Sequence, residues 1–146
     1  MPSFSELTIS EFMDALASKA STPGGGAGAA MGGALAASLV SMVCNLTLGK
    51  KGYEAVQDEL RQVLMESEML RRQLVALADV DALVYDQVMA AYRLPKSDAG
   101  EKATRAAAIQ EALWQAAQVP LQIAQACAKI VDLARPAAEL GNRWAV

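Results

Sequence analysis

Residues 53–91 read YEAVQDELRQVLMESEMLRRQLVALADVDALVYDQVMAA, and their pattern decides the fold class. Tyr53, Val56, Leu60, Val63, Ser67, Leu70, Leu74, Leu77, Asp81, Val84, Val88 and Ala91 recur at alternating steps of three and four. That spacing lines one face of an α-helix with apolar side chains, and nothing in it alternates with the period of a strand. The stripe runs for roughly forty residues before Pro95 stops it. Such a helix would be about 60 Å long at 1.5 Å per residue. One small domain cannot cover it unless it kinks or packs on a second copy, so a homodimer is expected.

The segment upstream is of a different kind. From Ala20 to Gly49 no charged residue occurs. Gly24, Gly28 and Gly32 form one row of small residues, and Ala29, Gly33, Ala37 and Ser41 form a second beside it. Rows of this kind let helix backbones approach closely, in membranes and in soluble bundles. Large apolar side chains are few, and Asn45 and Thr47 sit near the end, so a central buried helix is expected rather than a membrane span. Before it, Ser21-Thr22-Pro23-Gly24-Gly25-Gly26 breaks the chain. Earlier still, Thr8 and Glu11 have the spacing of a capping box, which starts a helix carrying Phe12, Met13 and Leu16 and ending near Lys19.

Downstream, Ser97-Asp98 caps a helix from about Glu101. Pro120 kinks it or opens a new one, Pro136 implies a further kink or break, and Gly141-Asn142 supplies a C-terminal cap. The whole is read as one all-α domain over residues 1–146, a helical bundle of about five helices with one long central helix.

Composition narrows the chemistry. With no histidine, Ser-His-Asp and Cys-His mechanisms are excluded together with most zinc sites, and no metal is expected. The net charge of −3 gives no basic face for nucleic acid. No secretory signal opens the chain, and Cys44 and Cys127 read as small buried hydrophobes in a reducing, cytoplasmic setting. Acid–base work then falls to carboxylates, lysines, tyrosines or water. Asp81 stands out because it interrupts a stripe of Leu and Val. A carboxylate desolvated there suits proton transfer, although a kink point or a structural carboxylate would leave the same mark. Ser67 on the same stripe reads as a packing residue, and Asp79, off the stripe, as solvated. A helix starting after Gly24-Gly25-Gly26 would offer free N–H groups to an anion or a polar ligand edge. Lys50 and Lys51 complement the C-terminal dipole of the uncharged helix, and Lys96 reads as a loop lysine.

Several blocks, taken in order, resemble the cyclodeaminase and methenyltetrahydrofolate cyclohydrolase family. They are Thr22-Pro23-Gly24-Gly25-Gly26-Ala27 with the alanine-glycine helix behind it, Asn45-Leu46-Thr47-Leu48-Gly49-Lys50-Lys51-Gly52-Tyr53, Asp79-Val80-Asp81-Ala82 with Val88-Met89, Leu94-Pro95-Lys96 and Gly141-Asn142. The resemblance implies a helical homodimer with a folate site in a cleft between helices and no prosthetic group. It implies hydrolysis of 5,10-methenyltetrahydrofolate to 10-formyltetrahydrofolate, or the related cyclodeamination of 5-formiminotetrahydrofolate. Hydrolysis is the expectation, since no formiminotransferase domain accompanies these residues. On the matching positions, Asp81 is expected to move the proton with Lys50 or Lys96 as cationic partner. Pro23, Gly24, Gly25, Gly26, Asn45, Lys51 and Lys96 are expected to bind the ligand. The family pattern continues past Gly-Asn with a further alanine-rich helix. A chain lacking it has the alternative of a truncated or non-catalytic helical folate-binding and dimerisation module.

Overall fold

A computed structural model describes residues 3–145. Four α-helices follow in order: α1 (Ile9–Ala17), α2 (Gly25–Asn45), α3 (Gln57–Tyr92) and α4 (Ala99–Leu140). Short 3-10 turns at Phe4–Glu6 and Glu54–Val56 precede α1 and α3, and no strand occurs among the described residues. The expected capping box is present: the Thr8 hydroxyl accepts from Glu11 N–H while Glu11 accepts from Thr8 N–H.

α2, α3 and α4 run up, down and up. Gly33 meets both Leu74 and Cys127, and Val43 meets Gly141, which sets α3 antiparallel to α2 and α4 parallel to it. The stripe on α3 is the centre of the core. Leu60, Val63, Leu70, Leu74 and Leu77 from it are buried with Ala27, Ala30, Ala34, Ala37 and Val40 of α2 and with Val119, Ile123, Ala126 and Ile130 of α4. Large residues on α3 fill the space that alanines on α2 leave, which is how three helices pack at close range without voids. Gly33 marks a point of close approach of all three, because a Cβ there would stand 2.6 Å from Cys127 Sγ and 3.1 Å from Leu74 Cδ1. Both cysteines are free thiols; Cys44 is buried and burial pushes its pKa up.

One sequence expectation is corrected here and one is refined. Pro120 and Pro136 do not end the helix: α4 continues through both for 42 residues, so the expected bundle of about five helices has four α-helices, and α4 is longer than α3. Proline removes one backbone donor, to the carbonyl four residues earlier. Here those carbonyls belong to Ala116 and Asp132, the first at a cleft wall and the second on an exposed residue, where a lost partner is tolerated. Gly141 does end α4, but with φ of −71 rather than in the left-handed region. It is glycine because a Cβ would overlap the Ala137 carbonyl and stand 2.5 Å from Val43 Cγ1.

Asp79 is not merely solvated. It accepts from Phe4 N at 2.7 Å and from Ser3 Oγ at 2.6 Å, pinning the N-terminal turn to α3. Phe4 then stacks edge-on against Phe12 of α1, with ring centroids 5.7 Å apart. Ser67 is a packing residue as expected, and its hydroxyl also meets Ser41 Oγ across the helix interface at 2.8 Å. Beside it, Arg71 foremost, then the Ser41 hydroxyl and Arg72, hold the Glu68 carboxyl down to about 2. Because the folded value is depressed, the stabilisation is present above the ordinary carboxylate range and fades as pH falls from about 4.5 through about 2. A Glu68→Gln chain is therefore expected to unfold more easily in urea at pH 7 and to lose this part of the acid dependence. Equal urea midpoints for the two chains at pH 7 would remove the ion pair from the account of stability.

Candidate functional site

α3 and α4 outrun α2. The Gly26 position lies against Asp81, so the last eleven residues of α3 project beyond the start of α2, and their far part packs on α4. There Val88, Ala91 and Ala112 form a small second core with Ala108, Ile109 and Ala116. Where α2 begins, the three-helix layer drops to two. The step leaves a cleft of about 420 Å³ lined by Ser21, Thr22, Gly24, Gly25, Asp81, Val84, Tyr85, Val88, Leu113, Ala116 and Pro120.

The floor of the cleft is one hydrogen-bonded junction. The N-cap of α2 is Gly24, which has no side chain to satisfy the first-turn N–H groups. Asp81 does this from another helix, accepting from Ala27 N through Oδ2 at 3.0 Å. The carboxylate fits because residue 26 is glycine; a Cβ there would overlap it. The negative side chain also sits at the positive end of the α2 dipole. Asp81 is half-buried at the cleft edge, one oxygen held by backbone. Tyr85 stands one helical turn further along the same wall, and Val84, Val88 and Leu113 make the rest of it apolar. At Pro120 the missing N–H leaves the Ala116 carbonyl without its helical donor, and both residues line the cleft. Among the described residues no three metal-ligating side chains come together.

The structure divides the expected site residues into groups. Asp81, Gly24 and Gly25 line the cleft, Gly26 seats Asp81, and Pro23 is buried immediately before them in a cis peptide with Thr22. Asn45, Lys50 and Lys51 lie at the opposite end of α2, whose 21 residues span about 30 Å. Within one chain Lys50 therefore cannot touch Asp81, which corrects the pairing expected for them. Lys96 lies in the exposed α3–α4 connection, beyond the cleft walls. The Asn45–Tyr53 block instead builds a latch. Gly49 and Gly52 take positive φ of 73 and 91, Thr47 Oγ1 accepts from Asn142 N at 2.8 Å, and Asn142 Nδ2 donates to Leu46 O at 3.3 Å. Gln57 closes the loop by accepting from Gly49 N at 2.8 Å and donating to Tyr53 O at 2.8 Å. Lys50 and Lys51 are held out on this loop, exposed.

The model of the formiminotransferase-cyclodeaminase family matches residues 8–146. The chain belongs to that family. A methenyltetrahydrofolate cyclohydrolase of Methylorubrum extorquens is 55% identical over 135 residues, 92% of this chain and 65% of that protein. A formimidoyltransferase-cyclodeaminase of Sus scrofa is 34% identical over 131 residues, 90% of this chain and 24% of that protein. The crystal structure of formiminotetrahydrofolate cyclodeaminase from Thermotoga maritima superposes with a TM-score of 0.81 at 35% identity, over 97% of this chain and 66% of that one. The chain thus spans about two thirds of the free-standing relatives and about a quarter of the fused one. The all-helical fold is shared with the solved family member.

Among the cleft residues that sequence reading did not assign to a site are Ser21, Tyr85, Ala116 and Pro120. Tyr85 carried a faint signal, one turn after the anomalous aspartate. Ala116 and Pro120 carried none, since a proline in a helical run reads as a break. The seat of Asp81 gives a direct test. Gly26→Ala is expected to cost about 1–3 kcal/mol in urea unfolding by forcing the carboxylate off the helix start. Gly25→Ala, where a Cβ meets nothing within 4 Å, is expected to be neutral or slightly stabilising. Equal effects at the two positions would mean that the junction is not tight.

Proposed function

We propose that the chain hydrolyses 5,10-methenyltetrahydrofolate to 10-formyltetrahydrofolate, with Asp81 as the proton-transfer group. The observation that carries this reading is the placement of Asp81: half-buried at the edge of a largely apolar cleft, one oxygen fixed to Ala27 N and no cation among the lining residues. The 55% identity to a protein named as a methenyltetrahydrofolate cyclohydrolase supports it. Related cyclodeamination of the 5-formimino compound is the second activity of the family, and the names of the other relatives support it.

The chemistry suits these groups. The methenyl carbon belongs to an amidinium, a planar cation, so a carboxylate without a competing lysine attracts the ring as well as serving as base. Asp81 takes a proton from water as the oxygen–carbon bond forms. It returns that proton to the ring nitrogen N5 as the carbon–N5 bond breaks. The second proton of the former water leaves to solvent, and the formyl group remains on N10. The backbone hydrogen bond at Oδ2 fixes the carboxylate so that both transfers use one geometry, and the apolar walls limit competing water. The Ala116 carbonyl offers an acceptor to an N–H of the ring system. The reaction needs no prosthetic group, and the free thiols suit a reducing cytoplasm.

Decay of the near-ultraviolet absorbance of 5,10-methenyltetrahydrofolate is expected to run well above the spontaneous rate with the purified chain. Asp81→Asn is expected to lower that enzymatic rate by about 10²–10⁴-fold, the range of a lost general base. Decay at the spontaneous rate with the unaltered chain, together with retained folate binding by fluorescence quenching, would assign a binding module instead.

A further inference from the structure

The chain carries two phenylalanines, three tyrosines and two tryptophans, and the fold employs most of them away from the cleft. Phe4 and Phe12 stack on each other at the N-terminal turn. The Tyr53 hydroxyl accepts from Arg143 N at the far end of α2. The rings of Tyr92 and Trp144 each lie under a guanidinium, that of Arg105 at 5.6 Å and that of Arg143 at 4.9 Å. Trp114 stands on α4, exposed and outside the cleft lining. That leaves Tyr85. Among the described residues it is the one aromatic side chain that lines the cleft, and no arginine or second ring pairs with it. It belongs to neither apolar core and is 39% exposed, so its ring is open to a ligand.

Its position relative to Asp81 gives the ring a use. The two residues are four apart on α3, which places them on one face about 6 Å from each other. A cation engages the face of an aromatic ring when it lies within about 6 Å of the ring centre. A cation drawn up to the Asp81 carboxylate is therefore within reach of the Tyr85 ring. Val84, Val88, Leu113 and Pro120 make the surroundings apolar, and removal of water strengthens such a contact. No lysine or arginine lines the cleft to compete for the ring.

The two ends of the reaction differ in what they offer that ring. On the cyclohydrolase reading, on which this step rests, the substrate is a flat amidinium whose charge is shared over N5, the methenyl carbon and N10. Hydrolysis breaks the carbon–N5 bond and releases a proton to solvent, so the formyl product has no cation at that place. A wall of valine and leucine would hold both compounds alike, and a carboxylate alone would attract a cation of any shape. An aromatic face selects one that is both flat and charged. We propose that Tyr85 is the specificity-determining residue of the cleft, its ring face holding the methenyl cation beside Asp81 and releasing the uncharged product. The ring carries this role, and the hydroxyl does not.

The test sets the KM for 5,10-methenyltetrahydrofolate against the inhibition constant of 5,10-methylenetetrahydrofolate, an uncharged molecule with the same ring skeleton. In Tyr85→Leu the first constant is expected to rise about 3–30-fold more than the second, the range of a cation–π contact. Tyr85→Phe keeps the ring and is expected to leave both constants near those of the unaltered chain. An equal rise in both constants, as a lost shape contact would give, overturns the proposal, and so does no change in either. A Tyr85→Phe chain that behaves like Tyr85→Leu overturns it as well, because the hydroxyl would then carry the effect. Should circular dichroism show that Tyr85→Leu does not fold, Tyr85→Met provides the same comparison. These failures leave the cyclohydrolase reading untouched while the unaltered chain turns over. Decay at the spontaneous rate with the unaltered chain would remove that reading instead. The dissociation constants of the two compounds, taken from tryptophan fluorescence within seconds of mixing, then decide the role of the ring by the same ratio. Binding of neither compound would overturn both.

Discussion

The contact between the start of α2 and Asp81 governs the rest of the molecule. A helix that begins in glycines has no side chain of its own to satisfy its first N–H groups, and a carboxylate arriving from α3 meets that need at Ala27. The same carboxylate can come so close only because residue 26 has no Cβ. The junction therefore sets the register of α2 on α3 and, through Gly33 against Cys127, of α2 on α4. It also fixes where α2 stops covering its neighbours, and hence where the cleft opens.

The carboxylate that satisfies the start of α2 also borders the cleft. One oxygen of Asp81 is committed to the backbone, and the cleft lies at the edge of the residue that remains. The walls come from the projecting end of α3, the middle of α4 and the segment that leads into α2. Proline at position 120 leaves the Ala116 carbonyl without its helical donor, and both residues line the cleft. At the far end of α2 a second junction, Thr47 with Asn142 and Leu46, ties the end of α4 to the loop that presents the lysines. The two ends of one helix thus hold a carboxylate and a pair of cations about 30 Å apart, a separation that one chain cannot bridge.

Much of this was legible in residues taken singly. The stripe on α3, the cap at Thr8, the charge-free helix and the anomaly of Asp81 each follow from local periodicity or from one residue out of pattern, and each stands in the structure at its expected place. Gly24 and Gly25 were marked as an open helix start and do line the cleft. The family resemblance on the Gly-rich, Asn45–Tyr53 and Asp79–Ala82 blocks agrees with the family match over residues 8–146.

What the sequence by itself determined was therefore the helical class, the order of the elements and the residue to suspect, because these depend on neighbours within a few turns of the chain. Three-dimensional packing alone decided the rest. Asp79 looked solvated until the chain's N-terminal turn came to rest on it, 75 residues away in sequence. Pro120 and Pro136 read as kinks or breaks, yet α4 runs through both, since the cost of a proline depends on what surrounds the carbonyl it orphans, and no local pattern records that. Lys50 looked like the partner of Asp81 because the two stand in matching blocks, yet α2 separates them by its full length. Such distances belong to the register of one helix on another, which is set by side chains that meet only after folding.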